Sequence, residues 1–284
     1  MQESLVIFRA GLFYRNEEHE TIKEGEYTMK IDFSKVVELN HIMLPSKPEV
    51  DTKPFDHSIP FHPDVDEEPF RLLAQTYDVS VMGERGEPHP EGSWYVSGEV
   101  FFWTHCGTHV EFPFHHRKDG MQAHNFPIKN LIGMASVIDF TDKKAGDAMT
   151  LEEFKERGKH IQEGDMVFLH TGLDSKWHTK DWEPYPYVEC DAIDWLLNEK
   201  KIIAIGTDAT SLENFHHTNK DGIPDQPNHN NIFRHDVAMV ESLTNLDKID
   251  NGRALVFILP LRIKGIEACP ARIIAINDGG FIME

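Results

Sequence analysis

Histidines and one carboxylate are concentrated between residues 105 and 115 of this chain, in a pattern typical of a metal site. His105, His109, Glu111 and His115 follow one another at spacings of four, two and four. Neutral imidazole is the commonest protein metal ligand, and a carboxylate adds charge that helps to hold a divalent cation. Chance clustering is the alternative, since the chain contains 17 histidines in 284 residues.

The residues between these side chains predict the local geometry. Gly107 permits a tight turn or a close approach of the backbone to a ligand, and Pro113 prevents a regular helix through the segment. We therefore expect the end of a strand that runs into a loop. On a strand, His105, His109 and Glu111 would share one face, because successive side chains alternate between the two faces.

The segment resembles the His-x-Gly-Thr-His-x-Asp-x-Pro-x-His signature of a family of metal-dependent hydrolases. That family includes bacterial kynurenine formamidase, isatin hydrolase and proteins named as cyclases. Every fixed position matches except Glu111, where the family has Asp. The resemblance covers about residues 36–278 and includes a later Pro-x-Arg-x-x-Ala-Ile element at Pro270–Ile276. It implies an α/β fold of the cyclase (swivelling β/β/α) type, with a mixed, partly barrel-like sheet, flanking helices and assembly into dimers or tetramers.

The resemblance also implies a second half of the site, at His229 and Glu241. In the family a His precedes a Glu by about this distance, and the Glu opens a Glu-x-Leu-x-Asn-Leu run, here Glu241–Leu246. From the residues alone, His229 is typical of a surface-loop histidine, and His235 is its rival. Glu241 ends an apolar run, so it is expected to be buried and must then be paired or bound to metal.

The resemblance implies a metal-dependent amidohydrolase that acts on a C–N bond. By the same resemblance, one ion would be held by His105, His109 and Glu111, and a second by Glu111, His229 and Glu241, with Glu111 shared by both. One or two ions per chain are expected, with zinc as the first choice and manganese as the second. Such ions acidify a water and polarise a carbonyl, which suits hydrolysis of an amide, lactam or related ester of a small molecule. His115 matches the family's proton-transfer residue.

Two departures from the family limit this interpretation. Glu111 carries one methylene more than Asp, which moves its carboxylate by about 1.5 Å. Either its backbone shifts or only one ion binds. The family's formamidases have a substrate-contacting Trp in a Pro-x-Trp-Pro stretch, where this chain has Pro48-Glu49-Val50-Asp51, so kynurenine is not the expected substrate. A metal-binding homologue without catalysis and a purely structural metal are the alternatives.

Composition excludes several classes of function. With 28 Lys and Arg against 48 Asp and Glu, the net charge of −20 disfavours nucleic-acid and membrane-surface partners. No apolar run approaches the roughly 20 residues of a membrane helix. An odd count of 3 cysteines without framework spacing fits a reducing, cytoplasmic location, and no signal peptide is evident.

The surrounding elements are expected to form one domain over residues 31–284, after an N-terminal extension over 1–30 with a short strand or helix. A proline-rich connection over 45–92 either frames a pocket or is a solvated loop. Thr150 and Glu153 form a capping box that predicts a helix to about Gly158. Further helices are predicted at 191–201 and 229–236. Strands are predicted at 36–44, 94–104, 131–140, 165–170, 201–206, 254–261 and 271–277.

Overall fold

The computed structural model describes residues 5–14, 23–43, 70–76, 97–177, 179, 181–182, 184–214, 216 and 225–283. Most of the connection predicted over 45–92, with the stretch Pro48–Asp51, lies outside these residues. The part that is described, Phe70–Thr76, is a strand that pairs with Ser97–Phe102.

Three α-helices and fifteen strands lie in the described part of the chain. The helices are α1 (Leu151–Arg157), α2 (Cys190–Asn198) and α3 (Pro227–Arg234). The strands are β1 (Leu5–Tyr14), β2 (Lys23–Asp32), β3 (Val36–Glu38), β4 (Phe70–Thr76), β5 (Ser97–Phe102), β6 (His109–Glu111), β7 (Ile132–Asp139), β8 (Ala148–Met149), β9 (Met166–His170), β10 (Tyr187–Val188), β11 (Ala204–Thr207), β12 (Ala238–Glu241), β13 (Arg253–Pro260), β14 (Ala268–Asn277) and β15 (Phe281–Met283). Short 3₁₀ turns lie at Phe33–Lys35, Pro113–His115, Ile128–Asn130, Leu173–Lys176, Leu246–Lys248 and Asp250–Gly252.

Seven strands close into a mixed barrel. Their order is β13-β7-β9-β11-β12-β6-β14, and β14 also pairs with β13 to close the sheet. Strand β3 pairs with the later part of β14, beyond the residues that pair with β6. The neighbours β7, β9, β11 and β12 run parallel, and the remaining pairs are antiparallel. The predicted α/β fold with a mixed, partly barrel-like sheet and flanking helices is confirmed.

Side chains alternate between the barrel interior and an outer layer beneath the helices. Val137, Phe168 and Val240 belong to the interior cluster, whereas their strand neighbours Leu169 and Met239 belong to the cluster packed under the helices. Strand β9 is apolar on both faces because the barrel core covers one face and helices cover the other. Among the described residues, no helix is long and apolar enough to cross a membrane.

Most predicted elements lie within a few residues of the observed ones. The capping box of Thr150 and Glu153 is present at the start of α1. The strand predicted at 201–206 begins only at Ala204, because Lys201 has a φ of 48° that an extended strand does not permit.

Residues 1–30 contain more regular structure than the single short element expected there. Strands β1 and β2 pair antiparallel over ten residues each, and β2 continues to Asp32. Strand β15, which the sequence pattern did not indicate, completes a three-stranded sheet by pairing with β2.

Candidate metal centre

Strands β6 and β12 bring three of the predicted ligands together through their register. His109 and Glu111 are two residues apart on β6, and Glu241 of β12 lies directly opposite His109. Val110, between His109 and Glu111, and its pairing partner Val240, next to Glu241, face the barrel core. The three polar side chains therefore project from the outer face of the sheet. His109 Nε2 is 3.3 Å from Glu111 Oε1 and 3.4 Å from Glu241 Oε2.

His105 reaches the same place from a turn, not from a strand, so the prediction that it shares a strand face with His109 is wrong. Gly107 has a φ of 61°, which breaks the extended backbone between the two histidines. The turn is closed by a 3.1 Å hydrogen bond from Cys106 N to the Trp103 carbonyl. This turn brings His105 back toward the strand, with Nδ1 2.7 Å from Glu111 Oε1 and 3.2 Å from His109 Nε2.

Helix α3 supplies His229. The helix begins at Pro227, two residues before the predicted start, because proline suits the first helical position. His229 Nε2 lies 3.6 Å from Glu111 Oε2 and 3.7 Å from Glu241 Oε1. Its rival His235 lies just after the helix, where it is exposed and its Nδ1 lies 2.9 Å from the Asn231 carbonyl.

His115 borders the cluster from the 3₁₀ turn that follows β6. Its Nε2 is 4.0 Å from Glu111 Oε1, and its ring centre lies 4.7 Å from that of His105. Burial lowers the pKa of His115 to about 4, despite the opposing pull of the Glu111 charge. The ring is therefore neutral near pH 7.

The donor set fits a divalent cation. His105 Nδ1, His109 Nε2 and Glu111 Oε1 lie 2.7–3.3 Å from one another. Donors separated by about 3 Å are expected around an ion with bonds of roughly 2.0–2.2 Å. The second carboxylate oxygen, Glu111 Oε2, is buried without a hydrogen-bond partner and faces His229. One carboxylate thus presents one oxygen to each half of the cluster.

The electrostatics of the protein alone also favour a bound cation. Burial opposes a charge on His109, but its contacts with Glu111 and Glu241 prevail and raise its pKa to about 10. For His229, contacts with Glu213 and Glu241 outweigh burial in the same way and raise its pKa to about 10. Buried carboxylates that hold protons on two imidazoles this firmly can instead hold a metal ion, which displaces those protons.

Each of the three clustered imidazoles has an acceptor beside its remaining nitrogen. His109 Nδ1 is 2.9 Å from the Gly107 carbonyl, and His229 Nδ1 is 2.8 Å from Glu213 Oε1. His105 Nε2 is 3.3 Å from Glu267 Oε1. Such outer acceptors orient a metal-ligating imidazole. Neither Glu213 nor Glu267 was singled out in the sequence, because neither stands at a motif spacing from the histidines.

A second group of possible ligands lies elsewhere among the described residues, at His170, Asp174 and Asp208. The Asp208 oxygens accept hydrogen bonds from the backbone of Thr171 and Gly172. Asp174 Oδ2 accepts hydrogen bonds from Thr244 and Asn245. Because these carboxylates fasten loops to one another, a structural role accounts for them.

Comparison with known proteins connects the chain to one family. The family model described as "Putative cyclase" matches residues 37–214 of the 284. Kynurenine formamidase from Erythrobacter litoralis is 28% identical over 208 residues, which is 72% of this chain and 88% of that protein. Kynurenine formamidase from Bacillus cereus is 26% identical over 177 residues, covering 62% of this chain and 77% of that protein.

Solved structures share the fold. Isatin hydrolase A from Labrenzia aggregata superimposes with a TM-score of 0.62 at 21% identity, over 88% of this chain and 94% of that one. A predicted metal-dependent hydrolase from Bacillus stearothermophilus gives a TM-score of 0.56 at 23% identity, over 85% of this chain and 97% of that one. At these identities the likeness concerns the fold alone.

Proposed function

The chain belongs to the cyclase family, and on that premise we propose that it is a metal-dependent hydrolase of a small-molecule amide, lactam or related ester. The observation that carries this proposal is the position of Glu111. Its Oε1 lies 2.7 Å from His105 Nδ1, and its unpaired Oε2 lies 3.6 Å from His229 Nε2. A buried carboxylate whose two oxygens face two different groups of ligand atoms is suited to bind one or two cations.

Five residues are proposed as ligands, in two overlapping sets. His105, His109 and Glu111 form the first set; Glu111, His229 and Glu241 form the second. Zinc is the first choice and manganese the second, since mixed imidazole and carboxylate donors suit either. The extra methylene of Glu111 relative to the family's Asp does not prevent its carboxylate from reaching both sets.

The reaction needs an activated water and a proton carrier. A bound divalent cation would acidify a water toward neutral pH and polarise the scissile carbonyl. His115, neutral and 27% exposed, is placed to accept a proton at Nε2 and return it to the leaving nitrogen or oxygen. This nitrogen lies 4.0 Å from Glu111 Oε1, beside the proposed ligand sets.

Kynurenine is not the substrate we propose, even though the relatives include kynurenine formamidases. The Pro-x-Trp-Pro stretch is replaced by Pro48–Asp51, which removes the aromatic side chain expected to contact that substrate. Assembly into dimers or tetramers and the absence of nucleic-acid and membrane partners also remain proposals, based on the family and on the net charge of −20.

The decisive experiment combines metal analysis with a substrate panel. Purified protein is stripped with a chelator, reloaded with zinc or manganese, and assayed against formamides, lactams and lactones. We expect one or two ions per chain and turnover that requires reloading, with His109→Ala inactive under the same conditions. Bound metal without turnover of any compound would identify a non-catalytic homologue. Unfolding on chelation alone would instead identify a structural metal.

A further inference from the structure

We propose that Glu213 is a positioning residue that aims His229 into the metal centre, an inference that rests on the proposed function. Glu213 is 4% exposed and belongs to neither proposed ligand set. Its Oε1 accepts two hydrogen bonds from the same residue, one from the His229 backbone N–H at 2.7 Å and one from the ring Nδ1–H at 2.8 Å. One oxygen therefore restrains both the main chain and the ring of His229.

The backbone contact compensates for a missing helix cap. His229 is the third residue of α3, and the N–H groups of a first helical turn have no partner within the helix. Gln226 precedes the helix without a side-chain cap. Glu213, 16 residues earlier in the chain, accepts the His229 N–H in place of a local cap. Its negative charge also interacts favourably with the positive end of the helix dipole. Glu213 thereby restrains the backbone of His229 at the start of α3.

The ring contact determines which nitrogen faces the metal centre. With Nδ1–H donated to Glu213, the Nε2 atom points toward Glu111 and Glu241. A carboxylate acceptor also makes an imidazole a stronger ligand. In the first ligand set, His109 has only the neutral carbonyl of Gly107 in this role, whereas His105 has the Glu267 carboxylate 3.3 Å from its Nε2.

A helix cap alone would have different consequences from a positioning role. Loss of a cap lowers the stability of α3 and of the metal-free protein. It does not by itself change the affinity of correctly folded protein for metal. Metal affinity, measured apart from catalytic activity, therefore separates the two roles.

Two substitutions at Glu213 and one control test the inference. Glu213→Ala removes both contacts, whereas Glu213→Gln keeps an oxygen that can accept both N–H groups but loses the charge. Asp191→Asn is the control, because it removes an equal charge. Asp191 is exposed and lies in the cleft that Glu213 also lines. Zinc affinity is measured by competition with a chromophoric chelator, resolving the equivalents bound per chain.

We expect Glu213→Ala to weaken the affinity for one zinc equivalent by about 10–100-fold. Glu213→Gln should weaken it by about 3–10-fold, because the charge that strengthens the imidazole as a ligand is lost. Asp191→Asn should stay within about twofold of wild type. Unchanged affinity in Glu213→Ala, or an equal loss in Asp191→Asn, would overturn the inference. If Glu213→Ala does not fold, Glu213→Gln decides, and affinity within about twofold of wild type overturns it.

A measurement that needs no metal separates this inference from the proposed function. In protein with ¹⁵N-labelled histidines, the His229 Nδ1 proton should give a protected signal in wild type and in Glu213→Gln. That signal should be lost in Glu213→Ala, and His229→Gln identifies it. If wild type binds no zinc, the proposed function fails and the positioning role in a metal centre fails with it, while the signal still reports the contact. If wild type binds zinc but the signal survives in Glu213→Ala, only the inference about Glu213 fails.

Discussion

Glu241 lies directly opposite His109 across the β12–β6 pair, with its Oε2 3.4 Å from the histidine Nε2. Far apart in the chain, the two residues become neighbours because the strands pair in one register. A shift of one residue would turn Glu241 into the barrel core. The candidate metal centre therefore depends on strand pairing as much as on the histidine-rich segment.

Removal of either histidine of the first ligand set should release metal. We expect His105→Ala and His109→Ala each to lose most of the bound ion, because each removes one of three clustered donors. Inductively coupled plasma spectrometry gives the stoichiometry, and His216→Ala, at an exposed position, is the control. Unchanged metal content in both variants would contradict the ligand assignment.

The downstream ligand should be His229 and not His235. We expect His229→Ala to lower metal content and activity, whereas His235→Ala should have a much milder effect because His235 is exposed outside the cluster. Both quantities are measured on the same preparations. The reverse ranking would place the ligand after the end of α3.

His115→Asn should retain metal and lose turnover. General acid–base groups contribute about 10²–10⁴-fold, so we expect kcat to fall by about that factor and the pH–rate profile to lose one limb. His116→Asn is the matched control and should stay within a few-fold of wild type. His116 Nδ1 lies 3.0 Å from Asn230 Oδ1 and its ring stacks on His229 at 5.2 Å, so it belongs to neither proposed ligand set. Loss of metal with an unchanged pH profile would instead make His115 a ligand.

Metal binding should release protons and become tighter as the pH rises. His109 and His229 have pKa values raised from 6.5 to about 10 in the protein alone, so an ion must displace their protons. Each displaced proton makes the apparent affinity rise by about tenfold per pH unit below the folded pKa. Calorimetric titration in buffers of different ionisation enthalpy counts these protons. Affinity that is independent of pH between 6.5 and 9 would contradict the prediction.

The same two pKa values predict how the stability of metal-free protein depends on pH. Because they are raised on folding, the stabilisation they provide is complete below pH 6.5 and is lost as the pH rises through about 10. We therefore expect the melting temperature after chelation to fall over this range, and the metal-loaded protein to resist that fall. Circular dichroism melts at matched pH measure both.

Gly120 should be required for the turn that carries His115. A Cβ atom there would lie 2.4 Å from the Pro113 carbonyl carbon and 2.6 Å from Phe114 N, which are backbone atoms. We expect Gly120→Ala to cost about 1–3 kcal/mol of unfolding free energy and to lower activity. Gly133→Ala is the control, since its Cβ would meet only the flexible ends of two side chains, Ile203 Cδ1 at 3.0 Å and Met166 Cε at 3.7 Å. Equal effects of the two substitutions would contradict this account.

Local sequence patterns were sufficient to predict many of the helices and strands. The apolar runs at 131–140 and 165–170 became β7 and β9, and the capping box at Thr150 became the start of α1. These features depend on neighbouring residues, through alternation of side chains and a hydrogen bond three residues along the helix. The histidine-rich segment and the family resemblance also indicate a metal-dependent hydrolase from the sequence alone.

Tertiary structure alone decided how the site is assembled. Sequence spacing predicted that His105 lies on the face of a strand. The positive φ of Gly107 instead ends the extended backbone, and His105 lies in a turn that brings its ring beside Glu111. Glu213 carried no signal in the sequence, because its partner His229 lies 16 residues further along, at no motif spacing, and the contact exists only in the folded chain. Side-chain alternation and helix capping act between neighbours and can be read from a sequence, whereas strand register and helix packing join distant residues and exist only in the folded chain.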